Sequence, residues 1–436
     1  MRLDFELTGD GLEVGLDGRR ARIRWPGEVW QPFTAKRELA TELVYLLTSG
    51  LALGQPGAPV RYGFGRPRFL DLYDRWLDST RPYLAGSSAP TKRRSVPPIA
   101  PSRPGPGTWR YPDTEPDRAV AALTMGKDSL ASLVVARGMG LGVAGVLCQH
   151  PSISDDHLIR SPAMAAVGAE LGLELHSMID DVKGLTRSAA ASAPSGSLWS
   201  LSIASYALML VPFAATRRAR YVLVGNEQEL SHPLRVASGA IVVASPLQSI
   251  AGMGELDRWL GALTSGGLRL TSVVHALHRL AGHWLIHRAR PSVGVHQISC
   301  RAARADRRWC GACRTCAENA LFIAACGRDP TSLGLPPMFG AEHREHFFVT
   351  DRAPDPTDPF RFRLAEQELL AFATLAPSGE DTFVQRLVRR RHGSALEAGR
   401  SRLERAYLRP VEPASGLPLA AMALECARDL LTAGPG

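Results

Sequence analysis

Apolar strand-like runs alternate with helical patterns from residue 118 onward, and this alternation restricts the possible folds more than any other feature. Four short runs are nearly continuous in apolar residues: AVAALTM (119–125), GVAGVLC (142–148), ELHSMI (174–179) and YVLVGN (221–226). Helical patterns separate them, at 129–140, 161–172 and 197–219. Short apolar strands joined by helices are typical of a parallel sheet that is covered on both faces. We therefore predict an α/β fold with a parallel sheet and helices on both faces.

The regions on either side of this alternation have other patterns. Residues 1–30 alternate apolar and polar positions around Gly-Asp-Gly and Asp-Gly turns, which predicts a small antiparallel sheet. Residues 362–432 are rich in Leu, Ala, Glu and Arg at helical spacing. A segment dense in Pro, Ser and Gly has the composition of a linker. We predict a β-rich N-terminal accessory domain at 1–84, a linker at 85–110, the core at 111–330 and a mostly helical region at 331–436.

Composition restricts the class of protein and of partner. The 436-residue chain has a formal net charge of +9, but its basic residues are almost all arginines scattered along the chain, so we do not expect a nucleic-acid partner. No apolar run approaches the roughly 20 residues of a membrane span, and no secretory signal is present. We expect a cytoplasmic protein without a membrane partner. The oligomeric state stays open, and a homodimer is compatible with the sequence.

The turn after the first core strand has the residues of a phosphate-binding loop. In LTMGKDS, Leu123 closes the strand, Gly126 permits a tight turn, and Asp128 or Ser129 can cap the following helix. Amide groups at such a helix start point to the carboxyl edge of the sheet, where they can bind a phosphate. Lys127 adds a cation, and the Asp128 carboxylate could hold Mg²⁺. An ordinary capped corner is the alternative interpretation.

Two other strand ends carry candidate site residues. Gly225, Asn226 and Glu227 end the YVLVGN run, where Glu227 offers a carboxylate and Asn226 an amide to the same carboxyl edge. A turn with a solvated glutamate is the simpler interpretation. Residues 148–150, Cys-Gln-His, end a further strand and could border an adenine, or serve only the structure.

Four of the seven cysteines fall within 17 residues, and their spacing is typical of a metal site. They are separated by nine, two and two residues: Cys300, Cys310, Cys313 and Cys316. Two overlapping C-x-x-C steps let thiolates surround one tetrahedral ion, and four thiolates leave no position for water. We therefore predict a structural Zn²⁺ knuckle at 300–316, with an iron–sulfur cluster as the alternative. Cys326 and Cys426 have apolar surroundings and are predicted in the core.

The turn resembles the Ser-Gly-Gly-x-Asp-Ser signature of the PP-loop ATP pyrophosphatases, which cleave ATP between its α and β phosphates. Gly126, Lys127, Asp128 and Ser129 match the signature; Thr124 stands for its first serine and Met125 for its first glycine. A side chain at position 125 excludes some backbone conformations that glycine allows. The resemblance implies a PP-loop core of the HUP-like kind, with ATP and Mg²⁺ as cofactors. It implies that residues 124–129 bind ATP and that Lys127 and Asp128 are catalytic. From their strand-end position at the same carboxyl edge, we predict that Gly225 and Asn226 also contact ATP and that Glu227 is catalytic.

The turn followed by the four-cysteine knuckle resembles the QueC family of 7-cyano-7-deazaguanine synthases over residues 117–326. Members adenylate a substrate carboxylate, and ammonia then displaces AMP. Longer QueC-like proteins occur in the anti-phage Qat and type IV CBASS systems, where the chemistry joins a deazaguanine to a protein. The resemblance implies an adenylating ligase with a small carboxylate substrate and, in a defence pathway, a protein substrate or partner. LCQHPSISDDHL (147–158) replaces the Gly-Gln-Arg-His stretch of QueC.

A second resemblance is to the MurL family of epimerases. It rests on RRWCGACRTCAENALFIAAC (307–326), GNEQELS (225–231) and SPLQSIAGMGELDRWL (245–260). MurL proteins adenylate and epimerise the terminal L-glutamate of UDP-N-acetylmuramoyl-L-alanyl-L-glutamate, which implies a glutamyl substrate. A non-enzymatic alternative is a zinc-containing nucleic-acid adaptor with a degenerate loop. Met125 is the evidence for a degenerate loop, and the arginine-rich RAARADRRW (301–309) beside the knuckle is the evidence for an adaptor.

Overall fold

The structure is a computed structural model that describes residues 1–51, 60–86, 109, 111–189, 201–351, 355–375, 382–412 and 416–433. The linker predicted at 85–110 falls almost entirely outside these residues. In the described part of the chain, no helix combines the length and the apolar character that a membrane crossing requires.

Nine strands form one large sheet, and its central part is parallel as predicted. The strands of this sheet, in chain order, are β1 Arg2–Thr8, β2 Gly11–Leu16, β3 Arg19–Arg24, β4 Arg61–Tyr62, β5 Glu115–Leu123, β6 Gly142–Gln149, β7 Glu174–Asp180, β8 Ala219–Leu223 and β11 Arg269–Thr271. The strands β9 Leu234–Arg235 and β10 Ile241–Val242 form a separate two-stranded ribbon. In space, the strands of the large sheet lie in the order β11-β8-β5-β6-β7-β3-β2-β1-β4. The run from β11 to β7 is parallel throughout. The predicted α/β architecture is therefore confirmed at this level.

Fifteen α-helices are described. They are α1 Gly27–Trp30, α2 Lys36–Thr48, α3 Leu70–Gly86, α4 Lys127–Gly138, α5 His157–Leu171, α6 Val182–Ala189, α7 Ser202–Thr216, α8 Ile250–Leu263, α9 Arg279–Trp284, α10 Pro291–Gly294, α11 Arg314–Ala325, α12 Phe348–Asp351, α13 Pro359–Thr374, α14 Phe383–Tyr407 and α15 Ala420–Thr432. Helices α4, α5 and α7 correspond to the three helical patterns found between the core strands. Helices α13 to α15 lie in the C-terminal region predicted to be helical.

The N-terminal strands extend the central sheet. β1, β2 and β3 are antiparallel, and the turn between β2 and β3 has two left-handed residues, Asp17 and Gly18. β3 then pairs with β7 in antiparallel fashion through Ile23 and Arg24. The antiparallel arrangement follows from local turns, but its attachment to β7 depends on residues more than 150 positions away. The N-terminal strands β1 to β4 therefore share one sheet with the core strands.

Apolar side chains form two buried clusters, one that includes α2 and α7 and another that includes α4, α11 and α13. Helix α7 is apolar nearly all round, because its residues 203–205 and 207–214 are buried. In the first cluster, the aromatic rings of Tyr73, Trp76 and Trp259 meet at 5.5–6.0 Å. A sheet that is apolar on both faces must be covered by other elements on both faces. Because β5 to β8 are parallel, the loops that follow them all lie at the same edge, the carboxyl edge of the sheet.

Candidate functional site

Residues 124–129, here called the loop, comprise the connection between β5 and α4 and the first turn of α4, at the carboxyl edge of the sheet next to the ends of β6 and β8. Ser129 closes this loop from within. Its Oγ donates to the carbonyl oxygen of Gly126 at 2.9 Å and accepts from the backbone N–H of Thr124 at 3.2 Å. Helix α4 begins at Lys127 with Gly126 as its N-cap, and no side chain caps it. The prediction that Asp128 or Ser129 caps the helix is therefore wrong, because Ser129 turns back into the loop.

Met125, rather than Gly126, has the unusual backbone conformation of this loop. Its φ is +57°, in the left-handed region, whereas Gly126 is extended with φ −80°. The Met125 side chain is fully buried in the second apolar cluster. Burial of the side chain offsets a backbone conformation that costs a non-glycine residue roughly 1–2 kcal/mol. The loop thus has left-handed geometry at the position where the PP-loop signature has its first glycine.

Lys127 points into the protein, where two carboxylates neutralise it. Its Nζ contacts Oδ1 of Asp128 and lies 2.5 Å from Oε2 of Glu227. The other oxygen of Glu227 accepts from Nε of Arg279 at 2.6 Å, and Arg279 also donates to Glu318 at 3.0 Å. The structure therefore brings the three predicted catalytic residues together. It does not present Lys127 as an isolated surface cation.

Charge pairing outweighs burial at Lys127 and Glu227, whereas at Asp128 burial and the neighbouring Glu227 carboxylate raise the pKa to about 7. Burial alone would lower the pKa of Lys127, but Asp128 and Glu227 raise it above its ordinary value. Burial alone would raise the pKa of Glu227, but Lys127 and Arg279 together lower it to about 2. Three carboxylates, with Glu318, thus face two cations. The Asp128 side chain is 38% exposed, and a divalent cation bound there would compete with a proton for its carboxylate.

The two residues before Glu227 have structural contacts. A Cβ on Gly225 would lie 3.0 Å from the backbone carbonyl carbon of Asp128, so glycine allows the end of β8 to approach the loop. Asn226 is 3% exposed, and its Nδ2 lies 2.9 Å from Sδ of Met253. The amide of Asn226 therefore faces the interior, and the Gly225 backbone lies against the loop.

The four clustered cysteines converge as their spacing predicts. Their sulfur atoms all lie within 4.8 Å of one another, and those of Cys310 and Cys316 are 3.8 Å apart. Zinc–sulfur bonds of about 2.3 Å at the tetrahedral angle place two sulfurs about 3.8 Å apart. Gly311, at φ +67°, makes the tight turn against Pro336, which a Cβ would approach to 2.4 Å. The cluster could hold a metal ion such as Zn²⁺.

The segment leading into the knuckle contacts the loop directly. The N–H of Ile298 donates to the carbonyl oxygen of Met125 at 2.6 Å, and the N–H of Lys127 donates to Oγ of Ser299 at 3.3 Å. Arg160 joins the two segments, because its guanidinium donates to the carbonyl oxygens of Thr124 and, at 3.1 Å, of Ile298. The two sequence motifs therefore form one structural unit.

An arginine-lined cleft of about 420 Å³ adjoins the Glu227 network. Its walls include Tyr83, Leu234, Arg279, Arg314, Thr315, Glu318, Phe348, Phe360, Arg361 and Leu364. Arg279 lies 5.8 Å from the centroid of the Phe360 ring, and Arg314, paired with Glu368 at 2.9 Å, packs on Phe348. Flat cationic groups beside aromatic rings suit a planar or acidic ligand.

Sequence reasoning did not find four residues of this site: Arg160, Arg279, Ser299 and Glu318. Each is a polar residue in a helix or segment that reaches the loop only through the tertiary fold, and Glu318 lies within the stretch 307–326 on which the MurL resemblance rests. For Ser299, the usable sequence signal was its position immediately before Cys300 of the knuckle.

Of the candidate residues 148–150, Gln149 lies at the end of β6, and its side-chain amide donates to Oγ of Ser161 in α5 at 2.9 Å.

No protein-family model matches the chain, and neither a curated protein nor a solved structure is significantly similar to it.

Proposed function

We propose that the chain is an ATP-dependent enzyme that activates a carboxylate as an acyl-adenylate, with release of pyrophosphate. The left-handed backbone of Met125 is the observation on which this proposal depends. The φ of +57° lies in the left-handed region that glycine favours, so Met125 has a backbone conformation that the glycine of the PP-loop signature could also adopt. In this proposal, the triphosphate binds at the loop and the start of α4, and Asp128 holds Mg²⁺.

In the proposed first step, a carboxylate oxygen of the substrate attacks the α-phosphorus of ATP. The bond between the α-phosphorus and the bridging oxygen breaks, and pyrophosphate leaves with both bonding electrons. Asp128 would hold Mg²⁺, which would supply positive charge next to the pyrophosphate, and the N–H groups of Asp128 and Ser129 at the start of α4 would add to it. Glu227 positions Lys127 and Arg279, since it contacts both cations.

In the proposed second step, a nitrogen nucleophile attacks the acyl carbon, loses a proton, and displaces AMP. The cleft beside Arg279 and Arg314 supports an acidic substrate, because it offers guanidinium groups and two phenylalanine rings within reach of the Glu227 network. A deazapurine carboxylate and a glutamyl carboxylate both have this chemistry. The zinc knuckle has a structural role in this proposal, because Ile298 and Ser299 hold the loop.

The test is carboxylate-dependent formation of AMP and pyrophosphate by the purified protein with ATP and Mg²⁺. The candidate substrates are 7-carboxy-7-deazaguanine and UDP-N-acetylmuramoyl-L-alanyl-L-glutamate, with hydroxylamine added to trap an acyl-adenylate as its hydroxamate. Asp128→Asn and Ser129→Ala should each lower the rate at least about 100-fold. Ser132→Ala, one turn further along α4, is the matched control because Ser132 contacts only the Asp128 carbonyl within the helix.

The products separate the possible second steps. An amide or nitrile formed with ammonia supports nitrogen capture, whereas inversion at the glutamyl α-carbon without a nitrogen product supports epimerisation. Absence of AMP with both carboxylates, from folded protein that contains zinc, would overturn the proposed function for these substrate classes.

A further inference from the structure

A second group of metal-ligand side chains lies at the ends of β6 and β7, apart from the loop and the knuckle. Cys148 and His150 are two positions apart in an extended segment, so their side chains point to the same face of the sheet. Asp180 ends β7, which pairs with β6 in parallel. One ligand atom of each residue lies within 4.8 Å of the ligand atoms of the other two. Sulfur, imidazole nitrogen and carboxylate oxygen thus converge at one point.

The Asp180 carboxylate gives an independent indication of a bound cation. The residue is 1% exposed, and its Oδ1 accepts the N–H groups of Val182 at 3.0 Å and Lys183 at 3.3 Å. Among the described residues, no group hydrogen-bonds to its buried Oδ2. A buried carboxylate oxygen without a partner costs free energy, and a cation bound to it removes that cost.

Nδ1 is the ring nitrogen of His150 that faces Asp180. This nitrogen lies 3.5 Å from Oδ2 of Asp180 and 3.0 Å from the Asp180 backbone oxygen. Bonds of about 2.0 Å at the tetrahedral angle place two ligand atoms about 3.3 Å apart. On the other side of the ring, Nε2 lies 3.1 Å from Oη of Tyr206. A carbonyl oxygen can only accept, so Nδ1 donates to Asp180 in this arrangement, and binding of an ion at Nδ1 requires the proton to move to Nε2, where Tyr206 can accept it.

Lys183 lies on the Nε2 side of the imidazole. Its Nζ is 3.4 Å from Nε2 and donates to Oη of Tyr206 at 2.8 Å. The hydroxyl oxygen of Tyr206 has two lone pairs and can accept from both His150 and Lys183. Ionisation of Cys148 and Asp180 would supply two negative charges, which balance a divalent ion.

We propose that Cys148, His150 and Asp180 bind a divalent transition-metal ion of the zinc class. Mixed sulfur, nitrogen and oxygen ligands select Zn²⁺ over Mg²⁺ or Ca²⁺, which prefer oxygen alone. Three protein ligands leave the fourth tetrahedral position for water or a substrate group, an arrangement that differs from the closed shell of four cysteines at the knuckle. Cys148 and His150 are partly exposed, so this position faces the carboxyl edge of the sheet. The proposal is independent of the nucleotide chemistry.

The experiment measures the number of zinc ions bound per full-length chain. The protein is first equilibrated in a zinc buffer that removes weakly bound ions, and the bound metal is then quantified by mass spectrometry. The wild-type chain should hold two. Cys148→Ser and Asp180→Asn should each hold one, and Asp180→Asn retains the oxygen that accepts from Val182. Cys426→Ser is the matched control and should retain two, because Cys426 lies elsewhere and donates to the Val135 carbonyl.

Cobalt substitution gives a second readout. The second equivalent of Co²⁺ should add a thiolate-to-cobalt absorption band in the wild type and none in Cys148→Ser. Circular dichroism verifies that both variants are folded. One zinc per wild-type chain overturns the proposal, and so does retention of the second zinc by either folded variant.

Discussion

Met125 combines a strained backbone with a buried side chain. In the left-handed region glycine is more stable than any residue with a Cβ, whereas in ordinary helix or strand alanine is the more stable of the two. Removal of the buried thioether side chain should cost about 2–5 kcal/mol in either variant. The free-energy cost of the left-handed backbone can therefore be measured by comparing the stabilities of two variants at this position.

We expect both Met125→Ala and Met125→Gly to lower the free energy of unfolding, with the glycine variant the more stable of the two by about 1 kcal/mol. Urea denaturation of both variants at one pH measures the difference. A glycine variant that is less stable than the alanine variant would contradict a left-handed conformation at residue 125.

Glu227 illustrates the difference between a buried and an exposed ion pair. It lies 6% exposed between Lys127 and Arg279, whereas Glu412 pairs with Arg428 at the surface, where the Glu412 side chain is 78% exposed. Removing one charge from a buried pair typically costs 3–5 kcal/mol. After loss of Glu227, Lys127 still faces Asp128 and Arg279 still faces Glu318, which places the expected cost at the lower end of this range. An exposed pair contributes less than about 1 kcal/mol.

Glu227→Gln should therefore destabilise the protein by about 3 kcal/mol, and Glu412→Gln by less than about 0.5 kcal/mol. Chemical denaturation at pH 7.5 measures both changes. Equal effects of the two substitutions would show that the Lys127 network does not stabilise the fold.

The knuckle and the loop are coupled through backbone hydrogen bonds. Ile298 and Ser299 contact residues 125 and 127, while the first ligand, Cys300, follows immediately. Binding of a structural metal orders the segment that contains its ligands. Loss of the ion should thus release the loop as well as the knuckle.

Zinc removal by a chelator, or Cys316→Ser, should increase hydrogen exchange in residues 123–130 about tenfold or more, because opening of the knuckle frees the partners of that loop. Peptides covering β1 and β2 are the internal control, since these strands pair with each other far from the knuckle. Hydrogen-exchange mass spectrometry measures both. Unchanged exchange at 123–130 after verified zinc loss would refute the coupling.

Several buried histidines make the whole protein sensitive to acid. Burial lowers the pKa of His287 to about 4, although its hydrogen bond to Gln297 opposes this shift, and burial also lowers the pKa of His275 and His283. The unfolded chain binds a proton at each of these residues near pH 6.5, whereas the folded chain does not. Stability is therefore lost as the pH falls from 6.5 towards 4.

His287→Gln should remove one of these contributions. Between pH 8 and pH 5, we expect the variant to lose about 2 kcal/mol less stability than the wild type, because His287 is 1% exposed and its pKa shift applies almost in full. Urea denaturation at several pH values measures the two slopes. Acid loss of zinc affects both proteins and cancels in the difference. Identical slopes would contradict a neutral buried His287.

Sequence patterns identified the core elements well. β5 to β8 and α4, α5 and α7 each overlap the segments predicted for them, because their apolar periodicity is local. β11, three residues long, was not predicted, since a strand of this length has no detectable period and exists through its pairing with β8. In the loop, Gly126 was expected to provide the unusual backbone conformation, but a buried position allows Met125 to provide it.

The amino-acid sequence by itself determined the alternation of strands and helices and the four-cysteine ligand set, because hydrophobic periodicity and thiolate spacing act over a few residues. The tertiary structure alone decided that Lys127 points inward to Glu227, that Ile298 and Ser299 hold the loop, and that Cys148, His150 and Asp180 converge. These contacts join segments that are separated by about 30 to more than 170 residues. Their formation depends on sheet order and on the packing of two apolar clusters, which no local pattern encodes.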